Sequence, residues 1–494
     1  MGRARARARG SSAIAPRFRL CCRCLVIMPQ GPRRGPAGRL PRRALRLSMY
    51  LLYRILTAAG MLFLIPYYAW RGWRRGEPAE TLRQRLGRLP REILERAAPA
   101  SDGEKQRPVI WIHAVSVGEV LAAACLVENL KQRYTSCRVF ISTTTETGQR
   151  LALERLPRAE GVFYFPLDWM VAVRRALRAI RPALIIVMET EIWPNFLREA
   201  EQRGIPVIFA NARVSERSFA QYRRWKFLVE SLFAQAMKGA TLFLAQTPED
   251  ARRLVAMGAP EEIVKVTGNL KYDAEPPASG AFTAWLEEQF SRQERWPVLV
   301  AGSVVAEEEE AVLAAYDIVQ RRWRRALLIL APRKPERFPA AAAIAAEDGW
   351  NVVLRSRLDL SVALEENAEV LLVDSIGELA GLYRLADAAF VGGSLVPSGG
   401  HNILEPAWFG RPPVFGRSME NFQDMAAQFL TARAGIQVSS GEHLGRVWVQ
   451  LIENDAVREQ MGRAARSLSE RNRGATQRSL AQIAAVLEAE GCPA

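Results

Sequence analysis

Cysteine is scarce. The 494 residues hold six, three crowded at Cys21, Cys22 and Cys24 and three scattered at Cys125, Cys137 and Cys492. No disulfide framework follows from that spacing, and the usage suits a reducing compartment. The Cys-Cys-x-Cys cluster lacks a second ligand pair at finger spacing, so a zinc module is not expected. Long hydrophobic runs are also rare; one stretch reaches bilayer length, which excludes a multi-span protein. Acidic side chains are missing from Met1–Ser48, where 13 of the chain's 68 Lys and Arg sit. The other 446 residues carry 55 basic side chains against 52 acidic ones. The net charge of +16 therefore belongs to the start of the chain, and no nucleic-acid partner is expected of the body. Residues 1–48 have little to bury and repel themselves, which predicts a disordered basic extension; its composition also suits a targeting peptide, or a true start at Met49.

The one long apolar run is Met49–Trp70, interrupted only by Arg54. As a helix it reaches ~33 Å, about one hydrocarbon thickness. Tyr50, Tyr53, Tyr67, Tyr68 and Trp70 crowd its ends like an interfacial belt, and Arg71, Arg74 and Arg75 follow. The run predicts a membrane anchor, with membrane lipid as a partner and the main body on the cytoplasmic side. A span across the bilayer and a position in the interface are both open.

From Val109 onward, short apolar runs alternate with amphipathic helical stretches. Strands are predicted at 109–112, 139–142, 184–188, 207–210 and 242–245, then at 298–301, 326–330, 351–354, 370–373, 388–391 and 413–415. Continuous apolar strands separated by helices imply parallel sheets covered on both faces. A Pro-rich break at 274–280 divides them. The expected organisation is α/β: two Rossmann-like doubly wound domains, 71–273 and 281–494, facing a cleft. Ligands of such sheets sit beyond the carboxyl ends of the strands.

Three strand ends and the segment just before the break carry candidate chemistry in the first half. His113–Val120 reads HAVSVGEV; Ser116-x-x-Glu119 fits a capping box, and Glu119 also suits a proton acceptor at a helix start. His113 reads as a structural histidine. Met188–Asn195 reads METEIWPN and places Glu189 and Glu191 just past a strand, which favours a polar site. Asn211 and Arg213 follow the next strand, with helix capping and a solvated face as the alternative. Lys271, in TGNLKYD, either reaches an anionic ligand or lies in solvent.

The second half is richer. Ser303 ends its first strand, and Arg333, Lys334 and Arg337 follow its second, as a phosphate clamp or a charged turn. The densest string is Phe390–Gly416, where Gly392, Gly393, Gly399 and Gly400 lead into His401, Asn402 and Glu405. Glycines at a helix start expose backbone N–H groups to an anion, and Glu405 can accept from a ribose diol. No Asp-x-Asp pair occurs, so a metal-carboxylate site has no obvious ligands and no cofactor is expected.

In this order, HAVSVGE, ETEIWPN, NARVSERS, GNLKYD, PRKPER and GGSLV…GGHNILEPA resemble the 3-deoxy-D-manno-octulosonic acid (Kdo) transferases of lipopolysaccharide biosynthesis. The resemblance runs from about Met49 to the C-terminus. It implies a glycosyltransferase B-type fold and transfer of Kdo from CMP-Kdo to a lipid A precursor at the cytoplasmic face of the inner membrane. It further implies Glu119 as general base and Glu189 and Glu191 in the acceptor cleft. Arg333 is then implied near the donor phosphate, with Gly399, Gly400, His401, Asn402 and Glu405 around the cytidine monophosphate. Two strings depart from the family: Lys334 stands where His is common, and Gly302–Glu310 reads GSVVAEEEE, with Val305 where His is common. A soluble nucleotide-sugar epimerase of the same fold, or a non-catalytic membrane-tethered nucleotide-sugar-binding protein, are the alternative readings.

Overall fold

The computed structural model describes residues 42–75, 79–99 and 107–489. The Cys21, Cys22, Cys24 cluster and Cys492 lie outside the described residues, as does the predicted basic extension up to residue 41. Its last residues depart from expectation: the first helix runs Arg42–Arg75 and so begins ahead of Met49.

Two seven-stranded sheets follow, each parallel throughout. The first is built from β1 (Val109–His113), β2 (Arg138–Thr143), β3 (Gly161–Tyr164), β4 (Leu184–Met188), β5 (Val207–Ala212), β6 (Leu242–Ala245) and β7 (Val264–Val266), in the order β3-β2-β1-β4-β5-β6-β7. The second is built from β8 (Val298–Val304), β9 (Leu327–Pro332), β10 (Val352–Leu354), β11 (Val370–Leu372), β12 (Ala388–Val391), β13 (Pro413–Phe415) and β14 (Ile436–Gln437), in the order β10-β11-β9-β8-β12-β13-β14. Every strand predicted from an apolar run is present. The three that sequence did not indicate, β3, β7 and β14, are short and lie at sheet edges, and an exposed polar residue interrupts β7 and β14.

Both faces of each sheet are covered. Along β1, Trp111 faces one core with Phe163, Val187 and Phe196. Ile110 and Ile112 face the other with Ile186, Ile208 and Leu244. Side-chain alternation along a strand produces this division, and each such aliphatic side chain contributes roughly 1.5–3 kcal/mol on burial. The second sheet separates in the same way, with Val300 and Ile329 on one face and Leu299 and Leu328 on the other.

The last helix, Ala475–Ala489, belongs by sequence to the second half but packs on the first: Leu480, Ile483 and Leu487 are buried with Ile110 and Leu184. Asp273 fixes the crossing, accepting the backbone N–H groups of Gly474 and Thr476.

Each sheet has its topological switch beside its first strand. β1 lies between β2 and β4, and β8 between β9 and β12. Crevices open at the carboxyl ends of such pairs. Arg213, just past β5, meets Glu420 and Asp424, which follow β13, so the carboxyl ends of the two sheets face one another.

Candidate active site

Glu119 lies beyond β1, in the first turn of helix Val117–Arg133. Its carboxylate is buried. Oε2 accepts the Val115 N–H at 2.8 Å, and Oε1 accepts the Ser116 hydroxyl at 2.9 Å. The expected capping box is not formed: Glu119 takes the N–H of Val115 and not that of Ser116, the N-cap, and Ser116 gives its hydroxyl to Glu119 and caps no helix N–H. Burial, reinforced by the nearby charge of Glu189, pushes the Glu119 carboxyl up to about 8.

Across the switch point, β4 ends at Met188 and Glu189 turns left-handed at φ 55°. A non-glycine residue in that region is strained, and such strain gathers at functional sites. Glu189 Oε1 lies 3.5 Å from Lys271 Nζ, which also sits over the Phe422 ring of the second domain. Lys271 is therefore in the cleft and not in solvent. Glu191 is half-buried, and its carboxyl is raised by burial and then by Glu189.

The rest of the METEIWPN string has another task. Trp193 stands at the N-cap position of helix Pro194–Glu201 without a side-chain capping bond. Asn195 gives its side-chain N–H to the Asp168 carbonyl at 2.6 Å and accepts the Tyr50 hydroxyl of the first helix at 2.9 Å. Tyr50 and Tyr53, expected in an interfacial belt, are thus bound to the first domain.

Asn211 and Arg213 are neither capping residues nor a solvated face. Asn211 is buried at φ 56° and accepts the Leu270 N–H at 3.0 Å, fixing the turn that carries Lys271. Arg213 Nε lies 3.3 Å from Asp424 Oδ2; it links the domains. His113 is fully buried, stacked on Phe165 with 3.8 Å between ring centroids, and held by Ser142. Burial holds its imidazole down to about 3, as a structural histidine requires.

In the second domain Ser303, the penultimate residue of β8, lies in the left-handed region at φ 55°. The glycine string differs from expectation. The N–H groups of Gly393, Ser394 and Leu395 are already taken by a carboxylate of the chain: Glu308, fully buried, accepts them at 2.6, 2.8 and 2.7 Å. Gly399 N–H goes to Ser418 Oγ, and Gly400 N–H to the Gly393 carbonyl. The glycines do not offer these N–H groups to a ligand; they permit close packing. A Cβ on Gly392 would stand 2.6 Å from the Ser303 carbonyl oxygen, and one on Gly393 2.7 Å from the His401 ring. Sequence reasoning missed Glu308. Its signal was the unassigned GSVVAEEEE string, in which Glu309 also has a partner, Arg337 at 3.0 Å.

The remaining second-domain candidates gather together. Arg333 and Lys334 are exposed just past β9. The Arg333 charge reaches both His401 and Glu405: burial, then Arg333, holds the His401 imidazole down to about 4. Burial raises the Glu405 carboxyl to about 7 against the opposing influence of Asn402 and Arg333. Asn402 donates to Glu405 at 3.5 Å and accepts the Leu404 N–H at 3.2 Å. His401 Nε2 is buried without a partner among the described residues.

Two Rossmann-like domains with facing strand ends and strained polar residues at those ends define a protein of the glycosyltransferase B-type fold. The same fold appears in a putative UDP-N-acetylglucosamine 2-epimerase from Listeria monocytogenes, 13% identical, with a TM-score of 0.52 over 77% of this chain and 97% of that one. Residues 80–274 match the family model described as 3-deoxy-D-manno-octulosonic-acid transferase. The 3-deoxy-D-manno-octulosonic acid transferase of Haemophilus influenzae is 35% identical over 77% of this chain and 87% of its own length. That of Bordetella pertussis is 33% identical over 86% and 96%. The chain belongs to the 3-deoxy-D-manno-octulosonic acid transferase family.

Proposed function

We propose that the protein transfers Kdo from CMP-Kdo to a hydroxyl of a lipid A precursor at the cytoplasmic face of the inner membrane, with inversion and without a metal. The observation that carries this reading is the buried Glu119 carboxylate at the switch point of the first sheet. The acceptor oxygen bonds to the anomeric carbon of Kdo, while the bond from that carbon to the phosphate oxygen breaks. The electron pair leaves with CMP, and the acceptor proton passes to Glu119. A proton acceptor works best when its pKa lies near the working pH, and burial places Glu119 there.

Arg333 and Lys334 meet the charge that develops on the leaving phosphate. Glu405 and Asn402 face the nucleoside. Glu189 and Glu191 line the acceptor side, and Lys271 balances them. Incubation with CMP-Kdo and the acylated glucosamine disaccharide bisphosphate, followed by mass spectrometry, tests the reading. A mass increase of one or more Kdo residues is expected. Turnover of CMP-Kdo with no gain on the lipid would overturn the acceptor, and a fully active Glu119→Gln variant would remove the base.

A further inference from the structure

The first helix is apolar enough over Met49–Trp70 to cross a bilayer, by length and composition. Its contacts point to another placement. Tyr50, Tyr53, Thr57, Met61, Ile65 and Tyr68 are each buried or half-buried. They recur at spacings of three and four, which is one face of an α-helix. The face spans 19 residues, roughly 27 Å of helix at 1.5 Å per residue. The opposite face is open: Leu52, Ile55, Leu56, Phe63, Tyr67 and Trp70 are 46 to 78% exposed.

The docked face is held by polar bonds. The buried Asp168 carboxylate accepts the Tyr53 hydroxyl at 2.7 Å, together with the backbone N–H groups of Asn195 at 3.1 Å and Phe196 at 2.8 Å. Thr57 Oγ1 lies 3.5 Å from the Asn195 side-chain nitrogen. A crossing helix needs about 20 residues clear of the soluble body. Docking from Tyr50 to Tyr68 leaves no such length, and undocking would take the Tyr53 hydroxyl from a buried carboxylate.

We propose that this helix lies flat in a single leaflet of an anionic bilayer, docked along the first domain, and does not cross it. The proposal deepens the membrane placement given above and rests on it. Amphipathic helices of this kind bury their apolar face ~5–10 Å into the headgroup boundary. The occupant is lipid, and charge complementarity identifies its surface. No acidic residue occurs from Met49 to Arg75. Arg74 stacks over Trp70 at 4.9 Å where the exposed face ends. Lying flat, the helix places its partner helix Pro194–Glu201, and with it the Glu189–Glu191 turn, at a fixed height above the leaflet.

The test is label depth in the full chain. With native cysteines changed to serine, single cysteines replace Leu52, Leu56, Phe63 or Tyr67, and each variant is kept only if it transfers Kdo at the parent rate. Spin labels are read by collision with oxygen and with a nickel chelate, in vesicles of phosphatidylethanolamine and phosphatidylglycerol. Four similar shallow depths are expected. Labels at Leu56 and Phe63 deeper by ~5–10 Å than those at Leu52 and Tyr67, as a rise of 1.5 Å per residue requires of a crossing helix, would overturn the proposal. Water-like accessibility at all four sites would overturn it too. Transfer to a detergent-dispersed acceptor reports separately on the catalytic reading.

Discussion

Arg213 of the first domain lies 3.3 Å from Asp424 of the second, and its guanidinium also donates to the Glu420 carbonyl at 3.3 Å. The pair joins the carboxyl ends of the two sheets beside Lys271 and Phe422. Asp424 is half exposed, so the pair contributes only about 0.2–1 kcal/mol to stability. Its larger effect is expected on domain closure. Arg213→Ala should slow transfer several-fold while moving the melting temperature by no more than about 2–4 °C. The charge swap Arg213→Asp with Asp424→Arg should restore part of the rate in a double-mutant cycle. Equal losses in both single variants and in the swap would show that the contact is not a clamp.

Glu119 is expected to set the pH dependence. Its carboxyl is raised to about 8, first by burial and then by Glu189. A raised carboxyl keeps its proton at neutral pH, so the basic form grows as pH climbs. Transfer should therefore rise about tenfold per pH unit below pH 8 and level off above it. Glu189→Gln removes one repelling charge and should move that rise to lower pH. Glu119→Gln should cost roughly 10²–10⁴ in rate while leaving CMP-Kdo binding in place. A pH profile that Glu189→Gln does not shift would separate the two carboxylates.

Much of this site could be read from the chain because strand ends could be read. Apolar runs marked β1, β4, β8 and β12, and Glu119, Glu189, Ser303 and Gly392, at or past their carboxyl ends, fall at the switch points. What could not be read depended on partners distant in sequence. Asn211 resembles a helix cap until Leu270 is placed against it, 59 residues on. Arg213 resembles a solvated residue until Asp424 arrives from the other domain. The glycine string resembles an anion cradle because nothing local announces that Glu308, more than 80 residues earlier, already fills it. Edge strands β7 and β14 carry exposed polar residues, so they lack the apolar signature of the central strands.

Glu308 is thus expected to shape the donor site from within. One carboxylate holds three N–H groups of the Gly393–Leu395 turn, and hydrogen bonds to charged groups contribute ~1.5–3 kcal/mol each. Glu308→Gln offers one acceptor oxygen in place of two, so one or more N–H groups lose a partner. The melting temperature should fall by several degrees and the dissociation constant for CMP-Kdo should rise. A variant that melts normally and binds the donor normally would mean that the turn holds without its carboxylate.

The latch between the first helix and the first domain makes a prediction of a different kind, because it separates chemistry from access. Tyr53→Phe removes one hydroxyl from Asp168 but leaves the Asn195 and Phe196 N–H groups on that carboxylate, so the domain should still fold. Loss of one bond to a charged acceptor should cost about 1.5–3 kcal/mol of docking, and the helix should become an easier target for limited proteolysis. Glu119 and the second domain are untouched. Transfer to a detergent-dispersed acceptor should stay near the parent rate, while transfer to an acceptor embedded in vesicles should fall several-fold. If both acceptors suffer equally, the tyrosine supports the fold of the site; if neither suffers, the hydroxyl contributes nothing to placing the cleft at the membrane.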